Sequence, residues 1–278
     1  MVSKLEILQR FYQIYLDCEN DYFTYRGKQY YLCQINNFTN YYEEYIHALN
    51  LIGFQVVYNC FNRPISMNYI LYTYQNEQYD LEHFIMQSLR PLNQKINILK
   101  IKESWCKILD EAKNKIGNHA SRINHFEHFI VLSYYYQGMG ECAINILNQI
   151  KRKELLLGVE HFAFEDCYEI LCAPDNLVLA SRIKDLSTAY KNKLITISQL
   201  EDYVNYAKLL DDELIYLYAR LLFPEIFFKN VIKEDCNDSL MKKKLLNIYQ
   251  NIDNEKRMIK IAYQMLCNYV NIPYIPWL

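Results

Sequence analysis

The feature that most restricts this chain is a long interval without proline, from Pro91 to Pro174. Within it Ile98, Ile101, Trp105, Ile108, Leu109, Ala112 and Ile116 recur at helical spacing, with lysines and acids opposite. An apolar stripe on that period must be buried against other elements. Gly117-Asn118 is expected to end this helix. A second helix is expected over 122–136, stopping at Gly138-Met139-Gly140, and a third over 141–150. Residues 159–164, 167–172 and 177–180 read as short strands, with Pro174-Asp175 as a turn. From Ile183 onward the pattern is helical again. Asp211-Asp212-Glu213 opens a helix with Leu214, Leu217, Tyr218, Leu221 and Leu222, ahead of Phe223-Pro224. Final helices are expected over 239–271, and a proline-bearing tail, 273–278, is expected to pack back through Trp277.

The first 80 residues differ. Leu5, Leu8, Phe11, Tyr12 and Tyr15 give a helix over 4–18. Residues 22–35 read as two strands around Arg26-Gly27-Lys28, with Gly27 in the turn. Asn40 is placed to cap a helix over 41–51, with Glu43 and Glu44 in its first turn and Gly53 at its end. Strands over 54–61 and 67–74 follow, either side of Arg63-Pro64. Hairpin, helix, hairpin predicts a small antiparallel sheet with one helix on it.

Of the 278 residues, 51% are hydrophobic, enough for one two-lobed domain or two small ones. The net charge of -2 provides no strong field, so nucleic acid and anionic membrane rank low as partners, and no nucleic acid is expected. No apolar run reaches the roughly 18–20 residues a bilayer span needs, and Lys4, Glu6, Arg10, Asp17 and Glu19 interrupt any signal-peptide core. A cytoplasmic location is expected. Nine cysteines, an odd number without paired short spacings, read as reduced core thiols, as at Leu32-Cys33, Trp105-Cys106 and Leu266-Cys267. Cys167 and Cys172 lack the second pair that a zinc site needs.

Three segments resemble the spore-coat-associated CotS/YutH-type branch of the aminoglycoside-phosphotransferase-like kinases. They are Ile101-Lys-Glu-Ser-Trp-Cys-Lys-Ile-Leu-Asp110, Tyr134-Tyr-Tyr-Gln-Gly-Met-Gly-Glu-Cys-Ala-Ile144 and Pro174-Asp-Asn-Leu-Val-Leu-Ala-Ser-Arg-Ile-Lys-Asp-Leu186. The resemblance implies an α+β, protein-kinase-like two-lobed fold. Residues 1–78 would form a small antiparallel N-lobe with one helix, and 79–278 a larger helical C-lobe with a strand insert near 159–180.

The chemistry of that family departs from this chain. Phosphoryl transfer needs a group to orient the nucleophile, ligands for magnesium, and cations on the phosphates. The resembling strand, Tyr30-Tyr-Leu-Cys-Gln-Ile35, has no lysine, and Gln34 is its nearest polar candidate for a cofactor contact. Gly27 stands alone, with no glycine-rich loop. Counted from His161, the catalytic Asp position holds Ala163 and the metal-binding Asn position holds Tyr168. Asp166 and Asp175 are the displaced carboxylates that remain as catalytic candidates, with His161 beside them. Asp185, ahead of Leu186-Ser-Thr-Ala, is expected to cap a helix and so to be structural.

Other patterns have plain readings. His125 and His128, with His119 upstream, have no third ligand and no His-Glu-x-x-His pattern, so they read as polar-face histidines and no metal is expected. Lys151-Arg-Lys153 and Lys242-Lys-Lys244 read as solvated helix ends. The expected function is a pseudokinase that binds or scaffolds another protein, without a cofactor. The alternatives are a small-molecule phosphotransferase using ATP and magnesium with rearranged groups, and a helical interaction module unrelated to kinases.

Overall fold

Two turns with positive φ shape the first sheet. In the computed structural model, which describes residues 2–34, 46, 54–73, 81–92, 94–120, 127–161, 177–233 and 239–278, β1 (Tyr22–Tyr25) and β2 (Lys28–Gln34) are joined by Arg26 at φ 50° and Gly27 at φ 75°. A two-residue loop with both φ positive matches the right-handed twist of the strands it joins. The same device joins β4 (Ile65–Ser66) to β5 (Tyr69–Thr73), through Met67 at φ 48° and Asn68 at φ 68°. The strand expected over 67–74 therefore begins two residues later. β3 (Gln55–Val57) is shorter than expected. Past it the Asn59 amide organises the loop: its Oδ1 accepts from the Phe61 and Arg63 N–H groups, and its Nδ2 donates to Ser66 Oγ.

The sheet runs in the order β1-β2-β5-β3, antiparallel, with β4 also on β5. Alternation separates its two faces. Phe23, Tyr30, Leu32, Leu71 and Val57 share one face and pack with Leu8 and Ile14. Tyr22, Tyr31 and Tyr72 stack in a row on the other, with Phe54 edge-on to Tyr72. Leu8 belongs to α1 (Lys4–Tyr12), capped at its start by Ser3 Oγ, which accepts from the Glu6 N–H. This helix stops well before residue 18. Gln13 turns left-handed at φ 55°, and the Ile14 N–H reaches back to the Leu8 carbonyl, which is how a helix commonly ends.

The chain divides into two compact units, Met1–Leu92 with Gly158–Arg182, and Asn93–Leu157 with Ile183–Leu278. The sequence reading divides the chain between residues 78 and 79. The first unit also holds α2 (Leu81–Ser88) and β8 (Leu177–Ser181). In it Gly158 lies where an added Cβ would come within 2.2 Å of the Ser88 carbonyl oxygen, and Arg182 Nη1 donates to the Leu89 carbonyl.

The second unit is helical apart from β6 (Lys95–Asn97), which the sequence reading missed, paired antiparallel with the start of β7 (Glu154–His161). Its helices are α3 (Ile98–Ala120), α4 (Glu127–Leu147), α5 (Lys184–Lys191), α6 (Ile197–Ala207), α7 (Asp211–Leu222), α8 (Glu225–Lys233) and α9 (Ser239–Leu266). Two expectations are corrected here. Gly117-Asn118 does not end α3, and α4 passes unbroken through Gly138 and Gly140 where two helices were expected. Gly140 permits close packing: a Cβ there would lie 3.0 Å from the Phe228 ring and 3.3 Å from Leu109. Trp105 anchors the core, stacked on Phe223 with centroids 4.2 Å apart and on Tyr216 at 5.9 Å. Trp277 returns from the tail to stand edge-on to Tyr135, as expected. No helix among the described residues is long and apolar enough to cross a membrane.

Candidate functional site

The sequence-derived candidates are distributed as follows. Gln34 is exposed at the end of β2, opposite Tyr69 in the register. The buried positions of that strand are Tyr31, Leu32 and Cys33, and its only cation, Lys28, is exposed next to the hairpin turn. His161 is the last residue of β7, and its side chain is outside the described set. Asp166 and Asp175 lie outside the described residues, as do the helix expected over 41–51 (with Glu43 and Glu44) apart from its helical residue 46, the strand expected over 167–172, and His125. Asp185 is buried in the first turn of α5, but the N-cap is Ile183, which makes no side-chain cap. The expected capping residue is thus two positions inside the helix, where an acid still meets the positive end of the dipole.

Among the described residues, no three of His, Cys, Asp and Glu gather closely enough to hold a metal ion. The described cysteines Cys18, Cys33, Cys60, Cys106, Cys142 and Cys267 form no disulfide. Cys33 alone of these is buried; Cys267, read as a core thiol, is exposed, and Cys106 is half-buried.

The helical unit holds a cavity of about 280 Å³ that no sequence pattern indicated. Its walls come from α4, α5, α7, α8 and α9. Apolar groups dominate: Leu221, Phe227, Met258 and Ile259, with the Tyr136 ring stacked on Phe227 at 4.5 Å. Lys191 and Glu255 bring an ammonium and a carboxylate to it, with the phenols of Tyr136 and Tyr190 beside them and Lys193 exposed at the rim. The Tyr136 hydroxyl donates to Glu255 Oε2 at 2.6 Å. Burial, then the neighbouring Glu255 charge, pushes the Tyr136 phenol well above its ordinary value. The Tyr190 hydroxyl donates to the Met258 carbonyl, which fixes the end of α5 against α9.

Lys191 ends α5 and sends its Nζ to the C-terminal turn of α7, donating to the Phe223 carbonyl at 2.7 Å and to the Arg220 carbonyl at 3.5 Å. A lysine there satisfies carbonyls that the helix end leaves open. Burial lowers its pKa from 10.5 to about 8; Glu255 and Glu225 pull the other way, and Arg220 adds to the lowering. Nearby, burial alone would raise Glu225, but Arg220, Lys184 and Lys229 more than offset it and hold the carboxyl at about 2. A second cavity lies around Asp212, whose carboxylate accepts the Lys151 and Arg152 N–H groups and so ties the turn before β7 to the start of α7. That carboxylate is committed to the backbone.

An antiparallel sheet in the first part of the chain, followed by a mostly helical remainder, defines the kinase-like α+β class, in the form seen in aminoglycoside phosphotransferases. The chain is similar in particular to the crystal structure of aminoglycoside phosphotransferase from Alicyclobacillus acidocaldarius subsp. acidocaldarius DSM 446, with a TM-score of 0.59 and 11% identity, over 94% of this chain and 96% of that one. At that identity the likeness is one of fold. No protein-family model matches the chain, and no curated protein does. The antiparallel sheet of the first unit does not fit a purely helical module.

Proposed function

We propose that this chain is a kinase-fold protein that acts by binding another protein in the cytoplasm and does not transfer phosphate from ATP. The observation that carries this reading is β2. The transferred phosphoryl group spreads negative charge over its oxygens, and fixed cations and metal ions supply most of the stabilisation. In the strand that would carry the phosphate-binding lysine, the buried positions are Tyr31, Leu32 and Cys33. The neutral amide of Gln34 does not replace an ammonium. Three sequence segments favour the CotS/YutH-type branch.

The likeness to an aminoglycoside phosphotransferase favours a second reading. In it the chain is a small-molecule phosphotransferase with rearranged groups, in which Asp166 or Asp175 would hold the magnesium that accompanies ATP. Thermal unfolding with millimolar ATP and magnesium separates the two. A ligand at a hundred times its Kd stabilises by about 2.7 kcal/mol, a shift that is easily seen. We expect no shift and no ATP turnover. A shift that Asp166→Ala or Asp175→Ala abolishes would favour the phosphotransferase, and ATP turnover lost in the same variant would establish it.

A further inference from the structure

We propose that the cavity of the helical unit binds a small amphipathic carboxylate, its carboxylate against the Lys191 ammonium and its apolar body among Leu221, Phe227, Met258 and Ile259. The site is independent of the phosphoryl-transfer question, because every residue in it belongs to the second unit.

Size sets the first limit. About 280 Å³ holds roughly nine groups of ~30 Å³, the share of one water molecule, which suits an eight-carbon acid. Lining sets the second. A mainly apolar wall with a few convergent polar groups is what small-ligand sites share. Charge then selects the head group. The Lys191 ammonium has only carbonyl acceptors, Phe223 at 2.7 Å and Arg220 at 3.5 Å. The Glu255 carboxylate that faces it from α9 already accepts the Tyr136 hydroxyl. The cation is therefore less well compensated than in water, as its lowered pKa of about 8 reflects. A ligand anion would complete it with a charge-assisted hydrogen bond. A ligand cation would meet Lys191 and Lys193 as like charges, and as an opposite charge only Glu255, which already accepts the Tyr136 hydroxyl.

Binding is linked to pH. The charged groups that face Lys191 are Glu255 from α9, Glu225 from α8 and Arg220 from α7. Tyr136 from α4, together with Tyr190 and Lys193 from its own segment, completes the titratable surroundings. A bound carboxylate favours protonated Lys191, so affinity holds below about pH 8 and falls as pH rises above it.

The test is calorimetric titration of the full chain with octanoate, octanol and octylamine. At pH 6.5 octanoate should bind about tenfold or more tightly than either analogue, and it should weaken by about tenfold or more at pH 9.5. Lys191→Met should lose about tenfold or more in octanoate affinity. Because that change strips the Phe223 carbonyl of its donor, a second variant guards against misfolding. Asn251→Trp obstructs the cavity from the exposed side of α9, leaves Lys191 in place and should abolish binding. Equal affinity for octanol, preference for octylamine, or no saturable octanoate binding by the unaltered chain overturns the proposal.

Discussion

The glycines of α4 show how one residue type can carry opposite meanings. At Gly138 an added Cβ would meet only the Trp277 ring, at 3.7 Å, which is ordinary contact. At Gly140 it would press on Phe228 and Leu109 at 3.0 and 3.3 Å, and both are buried and unable to yield. Alanine in a helix gains about 1 kcal/mol over glycine. Gly138→Ala should therefore stabilise the protein by about 0.5–1 kcal/mol. Gly140→Ala should destabilise it by about 1–2 kcal/mol, since overpacking outweighs propensity. Urea titration of the two variants measures the difference, and equal effects would refute the packing account. The sequence reading took this pair for a helix stop. A missing side chain marks a turn or a close approach equally well, and only Phe228, which follows in the chain by 88 residues, decides between them.

At the scale of elements, starts were easier to read than ends. The acids Asp211-Asp212-Glu213 do open α7, where Glu213 reaches back to the Leu210 N–H. Leu210 has no acceptor of its own, so this is half a capping box. The full box stands at α6: Thr196 Oγ1 accepts the Gln199 N–H, and Gln199 Oε1 accepts the Thr196 N–H. Thr196→Ala should cost about 1 kcal/mol in chemical denaturation, and Thr196→Ser close to nothing. The same loss in both would mean that the hydroxyl is not what matters. The ends of α1 and α3 were misplaced because helix stops depend on what the next residues pack against. Gln13 turns left-handed so that Ile14 can join Leu8 in the core.

At the scale of the whole molecule, the acid limb of stability has a traceable source. Glu225 is held at about 2 against an ordinary 4.5, with Lys229 Nζ at 2.7 Å and Arg220 Nη2 at 3.4 Å. A depressed carboxyl contributes stability that is complete above pH 4.5 and is lost as pH falls through about 2. At ~1.4 kcal/mol per unit this amounts to roughly 3 kcal/mol as an upper figure, because the side chain keeps some exposure. Glu225→Gln should be less stable by a few kcal/mol at pH 7. Its stability should also fall less steeply between pH 4.5 and 2. Parallel slopes for variant and parent would remove Glu225 from the account.

The α+β class, the N-terminal hairpin with Gly27 in its turn and the opening of α7 were all legible in the residues, because period, turn chemistry and helix dipole act between near neighbours in sequence. Tertiary structure alone decided the continuity of α4, the pairing of β6 and the cavity. Tyr136 meets Glu255 across 119 positions of chain, and Lys191 meets Phe223 across 32. No local spacing records such partners, since each arises only when separate helices have packed and burial has set the charge that each side chain can hold.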